Sequence, residues 1–192
     1  PGLGRPGVVE RLGAGWAATP WLALGADALV SVGDPSDDPM SASMAAWTRV
    51  ARPPGEGLRV AGTAGVHREF AGVWAITGSV GVELPVDRFV LGLTPSVERR
   101  LDPEADAVDL MLPMAAGVAL GKGLRLGAEA VGQDLEDYLE GEEEEAEGGA
   151  VWIAAATAGW SGEQLDLALA PGVGVGPQGA GFVARLRAAW RF

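Results

Sequence analysis

The chain has 192 residues, 30 of them glycine, with no cysteine and a formal net charge of −12. That length suits one domain. The glycine content disfavours a helical protein, because glycine is a poor helix-interior residue, and 48% apolar against 21% charged residues disfavours disorder. The missing cysteines exclude disulfides and thiolate metal sites. The acidic balance argues against nucleic acid as a partner, and no apolar run approaches the roughly eighteen residues of a membrane helix.

Taken in order, the chain reads as strands of about ten residues separated by turn chemistry. Val8 to Ala17 places Leu12, Ala14 and Trp16 on one face and Arg11, Gly13 and Gly15 on the other. Trp21 to Val32 alternates Leu22, Leu24, Ala26, Ala28 and Val30 against Ala23, Gly25, Asp27 and Ser31. Met40 to Ala51 is a third strand of ambiguous phase, since Met44 and Trp47 cannot share a face without a bulge. Leu58 to His67, Trp74 to Leu84 and Arg88 to Glu98 follow, then Val108 to Leu120 and Leu124 to Gln133. Ala150 to Trp160, Leu165 to Gly174 and Gly181 to Phe192 complete eleven strands. Pro95 and Pro113 fall inside two of them, where each removes a ladder donor, so a bulge or local irregularity is expected at both.

The connections alternate in length. Residues 18–20, 52–57, 85–87, 121–123 and 161–164 form a short set, and 33–39, 67–72, 101–106, 134–149 and 174–180 a longer one. In an antiparallel meander these sets lie at opposite ends. The aromatics sort the same way: Trp16, Trp21, Trp47, Phe89, Trp160, Trp190 and Phe192 fall beside the short turns, and Phe70, Trp74, Trp152 and Phe182 near the longer loops. Two aromatic belts flanking small aliphatic residues predict membrane interfaces. A soluble β-sandwich or lipocalin-like barrel gives no reason for tryptophan to sort by strand end.

The polar face of these strands is small and charge-balanced. Arg11, Arg59, Arg125, Arg185, Arg187 and Arg191 are matched by Asp27, Glu83, Glu98, Asp109, Glu129 and Asp166, with Gly, Ala, Ser and Thr between them. These residues are the candidate lining of an aqueous lumen; the competing expectation is that they pair across the interior and plug it. Sixteen acids lie in the longer connections, nine of them between Asp134 and Glu147. They read first as solvated loops, and second as carboxylates available to divalent cations at a lipopolysaccharide surface. Glu142-Glu143-Glu144-Glu145 lacks the spaced, glycine-turned pattern of a calcium loop, so no dedicated metal site is expected. His67, the single histidine, has no serine two residues away and falls on the water-facing phase, which reads as a rim residue without a catalytic role.

By strand length, loop alternation, aromatic belts and the terminal Trp190-Arg191-Phe192, the whole chain resembles the Gram-negative outer-membrane β-barrel proteins, departing from their usual C-terminal pattern where Arg187 replaces a common glycine. The resemblance implies an all-β antiparallel transmembrane barrel of about twelve strands in the cell outer membrane, with lipid and lipopolysaccharide around it. Recognition of the C-terminal strand by the barrel-assembly machinery is implied as well. Such barrels carry an even number of strands, so a first strand missing from these eleven, or supplied by another segment, is expected, with Pro1 the start of a processed or trimmed form. No cofactor and no enzymatic activity is expected. A small pore, or a structural barrel within a multi-protein envelope complex, are the two functions it leaves open, with a lipid-modifying enzyme third.

Overall fold

The computed structural model describes residues 8–32, 40–52, 57–69, 72, 74–101, 108–133, 135, 151–176 and 179–190, and at residues 8–11, 31–32, 40–41, 69 and 151 the backbone alone. The described residues hold twelve β-strands and no helix. These are β1 (Val8–Thr19), β2 (Leu22–Val32), β3 (Met40–Ala51), β4 (Arg59–Glu69), β5 (Trp74–Val86) and β6 (Phe89–Leu93). There follow β7 (Ser96–Arg100), β8 (Asp109–Gly121), β9 (Leu124–Gln133), β10 (Val151–Ser161), β11 (Leu165–Gly176) and β12 (Gly179–Trp190). Each pairs antiparallel with its neighbours in one sheet, as expected of strands joined by short reversals.

The turns follow from local chemistry. Lys122 and Gly123 both have positive φ, the hairpin geometry whose twist matches that of the flanking strands. At the β1–β2 turn the Thr19 hydroxyl oxygen accepts from the amides of Trp21 at 3.3 Å and Leu22 at 3.0 Å. Asp87 also takes positive φ, which Asp tolerates better than most residues, and this lets β5 run on through Val86 instead of turning at Pro85.

At Pro95 and Pro113 the expected local irregularity takes the form of a break in the strand, without a bulge. β6 and β7 are two halves of one traverse broken at Thr94–Pro95, and both halves pair with β5 and with β8 in an unshifted register. In that register Thr94 lies opposite Pro113, so both missing donors fall in the same gap. The gap keeps two bonds, from the Thr94 amide to the Pro113 carbonyl at 2.8 Å and from the Val80 amide to the Pro95 carbonyl at 3.0 Å. A further proline, Pro171, lies inside β11, and the β10–β11 ladder opens between Ala155↔Gly172 and Ala158↔Leu169 where its amide would have donated.

The twelve strands therefore make eleven traverses, in the spatial order of the chain. An odd number leaves the two edge strands, β1 and β12, running in the same direction. Among the described residues neither edge has a second partner. Two expectations change. Pairing of β11 with β12 extends to Gly176↔Gly179, so most of the last of the expected longer loops is strand. Trp47, expected in an aromatic belt, sits on the opposite face: β3 has no bulge, Met44 takes the apolar side, and Trp47 pairs with Gly25 and Gly65.

Most large apolar side chains gather on one face, although Leu29, Val131 and Ile153 share rungs of the polar face and Arg68 and Arg99 those of the apolar one. Leu24, Met44, Val66, Ile76, Leu91, Leu126, Leu169 and Leu186 all stand exposed on one face. The only buried hydrophobic residues among those described are Ala75, Ala155 and Ala170, all on the other face, and no large side chain is fully buried. Strands this long would be expected to bury a Leu- and Val-rich core if water were the surroundings. The core of this sheet is instead made of small residues beneath charged ones.

Candidate functional site: the polar concave face

Cross-strand pairs share a face, so the ladder places each polar side chain. One rung runs Gly13, Asp27, Ala45, His67, Ala75 and Arg100 from β1 to β7. The next runs Gly15, Gly25, Trp47, Gly65, Thr77, Glu98 and Asp109. Arg59 and Glu83 share a rung, as do Arg125 and Arg187, with Gly159 and Ala168 between them. Asp27, Arg59, Glu83, Glu98, Asp109, Arg125, Glu129, Asp166, Arg185 and Arg187 thus all fall on the face assigned to them from the sequence. Arg11 occupies a matching register position, while Arg191, Phe192 and Phe70 lie outside the described residues.

This face is concave. Arg185 on β12 forms an ion pair with Glu129 on β9, although β10 and β11 lie between. Three strand spacings in a flat sheet amount to roughly 14 Å, so the sheet must curl for the two side chains to meet. The pair crosses over Ala155, Ala170 and Gly172, and small residues beneath leave room for it. Arg59 and Glu83 make a second pair at 2.6 Å, with both side chains about half exposed. The third is His67 Nε2 to Glu98 Oε1 at 3.4 Å, with both groups mostly buried, and it becomes a true ion pair only when the imidazole is protonated. Asp27, Glu98 and Asp166 each have a further interaction.

Trp47 is the bulkiest group on this face. Its ring lies over Gly15 and Gly25, so close that a Cβ at Gly25 would stand 2.2 Å from it. Sequence reasoning missed this residue as an interior group. The signal lay in the glycines of the neighbouring strands, which become its partners only once the register is known. His67, Arg49 and Arg100 also belong to this face. Among the described residues no three His, Asp or Glu side chains gather as a metal-holding group.

The other face carries the aromatics. Trp16, Phe89, Trp160 and Trp190 lie toward the hairpin end, with Trp21 in the turn itself; Trp74, Trp152 and Phe182 lie toward the opposite end. Arg68 stacks on Trp74 at 5.5 Å and Arg88 on Phe89 at 5.7 Å, so each belt also holds a cation against a ring. The acids of residues 34–38, 102–106 and 134–147 lie outside the described residues. No protein-family model, curated protein or solved structure matches the chain.

Proposed function

We propose that the protein is a transmembrane β-barrel of the Gram-negative outer membrane, with its apolar face against lipid and its polar face lining a narrow, charge-lined path for small solutes. The observation that carries this reading is the inverted burial. More than two dozen large apolar side chains stand exposed, while among the described residues the only buried hydrophobic ones are alanines. Fully burying one such side chain is worth about 1.5–3 kcal/mol, so leaving them all in water forgoes on the order of tens of kcal/mol. A folded domain's net stability is only about 5–15 kcal/mol. Lipid removes that cost.

The belts support the same placement. Trp152 and Trp160 on β10, like Phe182 and Trp190 on β12, share a strand and a face eight residues apart. At about 3.3 Å per residue that is roughly 26 Å along the strand, or about 20 Å along the membrane normal at a tilt near 40°. With the rings at either end it suits a thin apolar band of about 25 Å. On this reading the long acidic connections face lipopolysaccharide, β12 addresses the barrel-assembly machinery, and the protein is not an enzyme. His67 supports the last point, since it faces the polar side, away from lipid acyl esters, and its Nε2 is engaged by Glu98.

Reconstitution of the full-length protein into planar bilayers tests the pore: stepwise conductance is expected, and its absence sinks the reading. One observation favours a second reading, a structural barrel within an envelope complex: the edges of β1 and β12 have no partner among the described residues. Stoichiometric companion proteins on purification in mild detergent, without conductance, would select it.

A further inference from the structure

The charges on the concave face are not equally engaged. Arg59 is held by Glu83 and Arg185 by Glu129. Among the described residues, neither Arg125 nor Arg187 has an ion pair, a hydrogen bond or a ring contact. These two share one rung, Arg125 on β9 and Arg187 on β12, and the residues between them are Gly159 and Ala168. Asp166, one rung nearer the turn, has its own interaction, in which neither arginine takes part.

Curvature brings the two arginines within reach of one ligand. Arg185 and Glu129 span the same two strands and meet across the sheet. Two arginine side chains reach further than an arginine and a glutamate, so the guanidinium groups of Arg125 and Arg187 can close on a single group held above Gly159 and Ala168. They cannot neutralise each other, and each offers a planar fork of donors suited to carboxylate or phosphate oxygens. The glycine and alanine floor leaves the space between them open.

We propose that Arg125 and Arg187 form an anion-binding station on the concave face, for a small solute bearing a phosphate or carboxylate group. This rests on the reading of that face as a solute path, and it names the class of solute.

The test follows the arginine Nε–Hε resonances of the 15N-labelled full-length protein in detergent micelles during titration with inorganic phosphate. Saturable shifts at Arg125 and Arg187, with Arg59 and Arg185 unmoved, are expected. Arg125→Gln or Arg187→Gln should each weaken phosphate binding roughly tenfold or more, because each removes a charge-assisted pair of hydrogen bonds. If either variant fails to fold, Arg125→Lys and Arg187→Lys keep the charge but lose the fork, and should weaken binding less. Shifts that are linear, unsaturated and equal at all arginines would overturn the station. In planar bilayers the wild type should favour chloride over potassium, and the double Gln variant should lose that preference. Saturable phosphate binding without conductance would leave the station standing and remove the pore. Conductance without phosphate-dependent shifts would do the reverse.

Discussion

Trp47 and Gly25 show how one side chain dictates its neighbours. A Cβ at Gly25 would lie 2.2 Å from the indole and 2.7 Å from the Ala14 carbonyl oxygen, so even alanine forces a shift of ring or strand. Overpacking of this kind costs about 1–3 kcal/mol. Gly25→Ala is therefore expected to lower the urea midpoint of the far-UV circular dichroism signal. Adding Trp47→Ala should restore part of the loss and no more, because the backbone contact remains. The face assigned to Trp47 has its own test. In vesicles of brominated lipid, a variant keeping Trp160 alone should be strongly quenched and one keeping Trp47 alone should not. Equal quenching would mean that β3 is turned the wrong way. Arg185 and Glu129 illustrate a different economy of interaction. Arg185 is more than half exposed, so its pair counts as a screened surface contact, and Arg185→Ala is expected to cost at most about 1 kcal/mol of stability.

A strand of this sheet is two surfaces, and a charge tells them apart. Ala156 on β10 pairs with Ala128 on the apolar face, while the adjacent Thr157 pairs with Gly127 on the polar one. Arginine at a lipid-facing position near the bilayer midplane costs about 2–4 kcal/mol. Ala156→Arg should therefore reduce the free energy of folding into lipid vesicles by that amount, measured by urea titration. Were that face in water, the same substitution would be close to neutral. The interrupted β6–β7 traverse belongs to this level as well. Pro95 and Pro113 each remove a donor, and placing them opposite one another confines the damage to one gap. The sequence shows both prolines and their periodic surroundings. It does not show that they face each other, because that depends on a register set by the whole meander.

For the molecule as a whole, the unresolved tension in a sheet of eleven traverses is its two edges. β1 and β12 run parallel, and their apolar side chains are the most exposed of all: Leu12 is 80% exposed, Phe182 76% and Leu186 77%, above any on the inner strands. An edge strand has no second ladder, so its outward amides are open. Hydrogen exchange in detergent should therefore find β1 and β12 the least protected strands and β4 and β9 among the most protected. Uniform protection would mean that the seam is paired, either by direct parallel contact or by a further strand.

Strand positions, the two faces and the sorting of most aromatics by strand end were legible along the chain, because a period of two and the turn chemistry of Gly, Pro and Asp act between near neighbours. Leu12, Trp16, Leu126, Leu169 and Trp190 announce their face by alternation alone. The exceptions arise where local signals conflict or run out. Met44 and Trp47 demand the same face at an odd spacing, and only the glycines at 15, 25 and 65 decide between them. Those glycines reach Trp47 through three strand pairings. The division of the arginines has the same origin. Nothing local distinguishes Arg185 from Arg187, two residues apart on one strand. Curvature carries Arg185 to Glu129, while Arg125 and Arg187 share a rung with Gly159 and Ala168 between them. Periodicity is a property of the chain, whereas partnership across the concave face is a property of the curled sheet.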